Sequence, residues 1–182
     1  MHFDSVCVFC GAQRAVAKEH LELAERFGHN LAKNKRKLVY GGGDCGLMGA
    51  VANGALTNEG EVIGVFPRHL NRIEVEHKGL SRMFLVDSMH ERKFIMYQNS
   101  DVFIILPGGF GTLDEMFEVI TWRQIELHTK PVIIFNHNGY WDNLVSLMDG
   151  IIDAGFAKPN TRDFYTVVNS EAELYELLDM KA

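Results

Sequence analysis

The sequence predicts an α/β protein, a doubly wound and mostly parallel sheet with helices on both faces. Three observations carry that prediction. Short apolar runs alternate along the chain with segments of helical periodicity, the pattern of a parallel sheet with crossover helices. Glycine turns follow the runs that end at Tyr40 and Leu106, and each leads straight into a helix. Val102-Phe103-Ile104-Ile105-Leu106, bounded by Asp101 and Pro107, is apolar throughout, as a strand covered on both faces must be.

Val6 to Phe9 reads as the first strand, ending at Gly11, and Ala17 to Asn34 as a helix with Leu21, Ala24, Phe27 and Leu31 on its apolar stripe. Lys37 to Tyr40 is a second strand, Gly41 to Gly46 a turn, and Leu47 to Thr57 a helix. Glu61 to Phe66 is a third strand, closed by Pro67. Arg68 to Ser81 is polar and without clear period, and we read it as a loop over a site. Met83 to Val86 is a short strand, and Ser88 opens a helix to about Asn99, with Ser88 and Glu91 at capping-box spacing. After Val102 to Leu106 come a helix from Thr112 to Ile125, a strand from Val132 to Phe135, a helix from Trp141 to Ala154, a weak strand from Thr166 to Val168 and a last helix opened by Ser170. Right-handed crossovers place the ligand edge at the carboxyl ends of the strands. Both glycine turns lie there.

The chain of 182 residues is read as one domain, 1–182, long enough to bury about 70% of its unfolded surface without a disulfide or metal staple. A hydrophobic content of 47% against 23% charged residues excludes a disordered chain. The net charge of -6 argues against nucleic-acid or anionic-membrane partners, so any phosphate site is local. Cys7 and Cys10 form a C-x-x-C inside a predicted strand, where a separation of three sets them on opposite faces and makes neither a redox pair nor a zinc site. With Cys45 the cysteines are odd in number, which fits a reducing cytoplasm. The N-terminus carries no signal region and no apolar stretch approaches spanning length, so a cytoplasmic location is expected.

Three features on the ligand edge can meet an anion. Gly108, Gly109 and Gly111 free the backbone at the start of the Thr112 helix, whose unpaired N–H groups and positive dipole end point into the turn. Thr112 and Glu115 also have the spacing of a capping box, in which the carboxylate would only satisfy a backbone N–H. Gly41-Gly42-Gly43-Asp44-Cys45-Gly46 fits G-x-G-x-x-G between a strand and a helix, a pattern compatible with dinucleotide binding, although it follows the second strand rather than the first. Ser88-Met89-His90-Glu91-Arg92-Lys93 puts two cations in the first turn of a helix, where the dipole disfavours them by several tenths of a kcal/mol. They are either solvated surface charges or groups facing a bound phosphate or carboxylate. His69, His77, His90 and His128 lack metal-site spacing, and no metal is expected. No nucleophile elbow, P-loop or cofactor lysine is present.

The pairing of Ser88-Met89-His90-Glu91-Arg92-Lys93 with Pro107-Gly108-Gly109-Phe110-Gly111-Thr112-Leu113-Asp114-Glu115 resembles the Lonely Guy (LOG) family of cytokinin riboside 5'-monophosphate phosphoribohydrolases. An older label for such proteins is lysine decarboxylase. The similarity runs from Val6-Cys7-Val8-Phe9-Cys10-Gly11 through Tyr40-Gly41-Gly42-Gly43 and Gly46-Leu47-Met48-Gly49 to Gly139-Tyr140 and Gly155-Phe156. It implies a Rossmann-like homodimer, without cofactor, that hydrolyses the N-glycosidic bond of N6-modified adenosine 5'-monophosphates to free base and ribose 5-phosphate. Arg92 and Glu115 match the family's catalytic pair. Gly41, Gly42, Gly43, Met89, Lys93, Gly108, Gly109, Gly111 and Thr112 match its nucleotide-binding positions, and the helix carrying Trp122 and Gln124 is a candidate for the dimer contact that completes the site. Ala12-Gln13, Asp114 and Glu126 depart from residues usual in the family. A helix N-terminus favours an ionised Glu115, suited to base catalysis rather than acid catalysis. A broader nucleoside 5'-monophosphate nucleosidase, a non-catalytic nucleotide or cofactor carrier and a NAD-dependent oxidoreductase are the alternatives.

Overall fold

The computed structural model describes residues 3–72 and 74–181; Met1, His2, Ile73 and Ala182 lie outside them, with the parts of the N-terminal and loop readings that fall there. The elements are β1 (Ser5–Phe9), α1 (Lys18–Lys33), β2 (Lys37–Tyr40), α2 (Gly46–Leu56), β3 (Val62–Pro67), β4 (Arg82–Val86), α3 (Met89–Gln98), β5 (Val102–Ile105), α4 (Phe110–Gln124), β6 (Val132–Phe135), α5 (Asp142–Asp153), β7 (Thr166–Val168) and α6 (Glu171–Leu177). The expected loop after β3 begins with a short 3-10 segment, Arg68–Arg72.

The strands form one sheet of order β4-β3-β2-β1-β5-β6-β7, and every pairing is parallel. Alternation along each strand divides the core into two layers. Val6, Val8, Val102 and Ile104 point to the layer shared with Leu23, Phe27 and Val51 of α1 and α2 and with Leu174 of α6. Cys7, Phe9, Phe103 and Ile105 point to the other, against Met96, Met116 and Met148 of α3, α4 and α5. Each fully buried side chain of this size contributes roughly 1.5–3 kcal/mol. Cys7 and Cys10 fall in different layers, so their sequence spacing reflects packing, not a shared site.

Helix α1 lies hard against α2. A Cβ on Gly28 would stand 2.0 Å from the Val51 carbonyl oxygen, and one on Gly54 would stand 2.0 Å from that of Glu25. In α1 it is Leu23, with Ala24, Phe27 and Leu31, that is fully buried, whereas Leu21 only flanks the core. Ser88 and Ser170 cap α3 and α6 as their spacing predicts, each accepting from the backbone N–H three residues on. The returning Glu91 and Glu173 carboxylates accept from Asp87 and Asn169, one residue before the cap. No described helix is long and apolar enough to cross a membrane.

Candidate active site

The strand order reverses between β1 and β5, and in an open parallel sheet that reversal leaves a crevice beyond the strand ends. The Gly11 N–H donates to the Pro107 carbonyl at 3.0 Å and ties the two strand ends together. A cavity of about 290 Å³ opens above them. Its walls are Cys10 to Gln13 after β1, Met48 of α2, Leu70 and Glu74 of the loop after β3, Met89 and Arg92 of α3, and Gly109 to Thr112 with Glu115 of α4.

Helix α4 begins at Phe110 with Gly109 as its cap residue and no side-chain cap. The capping box suggested by Thr112 and Glu115 therefore does not form, because both residues already lie inside the helix. Their side chains are buried and face the cavity. The first-turn amides of α4 stay available to an anion, and a Cβ at Gly109 or Gly111 would meet nothing within 4 Å. Gly108 serves differently: a Cβ there would stand 2.1 Å from Thr112 Oγ1, and its carbonyl accepts from the Tyr140 hydroxyl at 2.7 Å.

Arg92 and Lys93 are buried, which overturns their reading as solvated charges. Arg92 Nε donates to the Val65 carbonyl at 3.2 Å and Nη2 to the Gly41 carbonyl at 3.1 Å, leaving Nη1 3.7 Å from Glu115 Oε1. A Cβ on Gly41 would fall 1.8 Å from Arg92 Nη2, so a side chain there would displace the guanidinium from its seat. Lys93 turns away from the cavity to Asp114 at 2.9 Å and Glu118 at 3.0 Å, clamping α3 to α4. Asp114 supplies half of that clamp.

Glu115 is where the electrostatic expectation fails. Burial pushes its carboxyl up to about 7, and the Arg92 guanidinium pulls the other way without prevailing. Desolvation outweighs the helix dipole because Glu115 sits past the first turn, where the dipole's influence has faded. A carboxyl raised this far toward neutrality can act as acid as well as base.

The Gly41 to Gly46 turn lies beneath the cavity rather than on its wall. Gly11's carbonyl accepts from the N–H groups of Leu47 at 2.9 Å and Met48 at 3.3 Å, which closes the N-terminus of α2 to a pyrophosphate. Gly42 and Gly43 instead hold the loop after β3: His77 N–H donates to the Gly42 carbonyl, and Gly43 bridges to Glu76. Among the cavity residues, sequence reasoning missed Glu74, Met48 and Leu70. The loop was legible as a cover, but no periodicity marks which of its residues points inward. Glu126 takes φ +64 just past the end of α4, a conformation that suits glycine, and it does not line this chain's cavity.

A family model described as "Possible lysine decarboxylase" matches residues 48–178. A cytokinin riboside 5'-monophosphate phosphoribohydrolase of Rhodococcoides fascians is 45% identical over 159 residues, 87% of this chain and 80% of that one. One of Arabidopsis thaliana is 39% identical over 177 residues, 97% of this chain and 78% of that one. Among solved structures, the molybdenum cofactor binding protein from Rippkaea orientalis superposes with a TM-score of 0.72 at 23% identity, covering 98% of this chain and 97% of its own, a likeness of fold. The chain belongs to the LOG family, whose curated relatives at this level of identity carry the phosphoribohydrolase name.

Proposed function

We propose that this chain hydrolyses the N-glycosidic bond of N6-modified adenosine 5'-monophosphates, releasing the free base and ribose 5-phosphate, with residues 1–182 acting as one nucleotide-binding domain. The observation that carries the reading is the buried Arg92–Glu115 pair, 3.7 Å apart, beside the uncapped N-terminus of α4. The phosphate takes the amides of Phe110 to Thr112 and the Thr112 hydroxyl, which fixes the nucleotide by its most charged end. Gly109 and Gly111 keep that approach clear. Breaking C1'–N9 builds positive charge on the ribose, and the Glu115 carboxylate stabilises it while taking a proton from the attacking water. A carboxyl poised near 7 can then release that proton toward the departing purine. Arg92, always charged, orients Glu115 or a substrate oxygen and donates no proton. Met89 stands beside Arg92, and its Sδ lies 4.0 Å from Nη1. Gly41, Gly42, Gly43, Gly108 and Lys93 act one layer back, by seating Arg92, the covering loop and α4.

The same reading makes the protein a cytoplasmic homodimer without nucleic-acid partners. Ile125 and Leu127, 59% and 61% exposed at the end of α4 next to Gln124, support a second copy seated there. Light scattering should find a dimer, and Ile125→Asp with Leu127→Asp should leave a folded monomer.

The direct test is to incubate the protein with AMP and with N6-isopentenyl-AMP and separate the products by chromatography. Faster release of base and ribose 5-phosphate from the isopentenyl nucleotide is the expected result. Equal rates would make it a general nucleoside 5'-monophosphate nucleosidase, and binding without release would make it a carrier.

A further inference from the structure

Three successive carbonyls in the turn between β5 and α4 are tied to partners of their own. The Pro107 carbonyl accepts from the Gly11 N–H at 3.0 Å and the Gly109 carbonyl from the Leu113 N–H at 3.1 Å. Between them, the Gly108 carbonyl accepts from the Tyr140 hydroxyl at 2.7 Å, a bond that comes from a side chain beyond the neighbouring strand β6. The Gly109 N–H has no hydrogen-bond partner among the described residues. In a trans peptide the C=O and the N–H point to opposite sides. With the Gly108 oxygen held at Tyr140, the Gly109 N–H is directed away from it, and Gly109 borders both the catalytic cavity and a smaller one, of about 190 Å³, that Tyr140 lines. A peptide between two glycines has no Cβ to oppose its flipping. A flip would aim a carbonyl oxygen at the seat of the anion.

Tyr140 is itself anchored. The turn after β6 passes through Asn138 at φ 52 and Gly139 at φ +73. Buried Asn136 closes that turn: its Oδ1 accepts from the Trp141 N–H at 2.7 Å, and its Nδ2 donates to Asp142 Oδ1 at 2.8 Å. The Tyr140 ring stands edge-on to Trp141 and to His20, with centroids 4.7 Å and 5.5 Å away. A hydrogen bond donated to a carbonyl also polarises its peptide, which strengthens the N–H on the other side as a donor.

We propose that Tyr140 is a positioning residue for the substrate phosphate. It fixes the Gly108–Gly109 peptide so that the Gly109 N–H joins the α4 amides as a donor and no carbonyl oxygen opposes the anion. Within the function proposed above, the 5'-phosphate sits at the start of α4, and this role of Tyr140 rests on that reading.

The experiment compares the wild type with Tyr140→Phe, which keeps the ring against His20 and Trp141 and removes the hydroxyl. Calorimetry reads the affinities for AMP and for adenosine, and steady-state rates read KM and kcat for N6-isopentenyl-AMP. Tyr140→Phe should bind AMP about three- to tenfold more weakly and adenosine equally well. Its KM should rise by the same factor while kcat stays within about twofold. An unchanged affinity for AMP would overturn the assignment, and so would an equal loss for AMP and adenosine, which marks a merely structural role. If the wild type bound AMP and released no base, the proposed hydrolysis would fail, and the ratio of AMP to adenosine affinity would still decide the role of Tyr140.

Discussion

The chain makes the strand, glycine turn and helix sequence twice on one edge, after β2 and after β5, and the two turns do opposite things. At the first, Gly46 takes φ +58 and packs under Gly11 to Gln13, and the α2 amides are spent on the Gly11 carbonyl. At the second, Gly109 and Gly111 border open space and the α4 amides have no side-chain cap. The same local grammar thus builds a foundation in one place and a ligand seat in the other. Whether glycine is there for packing or for approach depends on what stands opposite.

The largest effect should come from filling the first turn. Gly46→Ala puts a Cβ 2.6 Å from the Gln13 carbonyl oxygen in a left-handed conformation, and urea unfolding should show a loss of about 3–5 kcal/mol. The second turn keeps its cost in Glu115. Its raised carboxyl favours the folded state fully below the unfolded value near 4.5, and that contribution is lost as pH rises toward about 7. Glu115→Gln should therefore be more stable than the wild type by about 1–3 kcal/mol at pH 8, with the gain vanishing near pH 4 in thermal unfolding. The smallest change in stability belongs to Gly111→Ala. It should leave folding unchanged or up to about 1 kcal/mol better, yet weaken AMP binding about tenfold by calorimetry. If Gly111→Ala unfolded the protein and Gly46→Ala did not, the contrast between the turns would be reversed.

Much of this was legible in the sequence because periodicity and glycine placement are local signals. The seven strands, the ligand edge and the Arg92 and Glu115 pairing follow from residue patterns and from the family motifs. What the sequence concealed depends on distant partners. The Thr112 and Glu115 spacing imitates a capping box, but Gly109 starts α4 earlier and frees both side chains for the cavity. The tilt of Lys93 toward Asp114 and Glu118 depends on how α3 crosses α4. Closure of the G-x-G-x-x-G turn depends on Gly11, some thirty residues upstream. The proton affinity of Glu115 follows from burial, and a dipole argument drawn from the helix start alone gives the wrong sign.

The measurement that bears most directly on the central claim is the rate of N6-isopentenyl-AMP hydrolysis across pH, for the wild type and Glu115→Gln, with nucleotide affinity measured alongside. The wild-type rate should climb as pH rises through about 7, as the Glu115 carboxyl loses its proton. Glu115→Gln should be slower by about 10²–10⁴, with that titration gone and affinity for the nucleotide retained. A variant that kept both the rate and the titration would remove Glu115 from the chemistry and contradict the account.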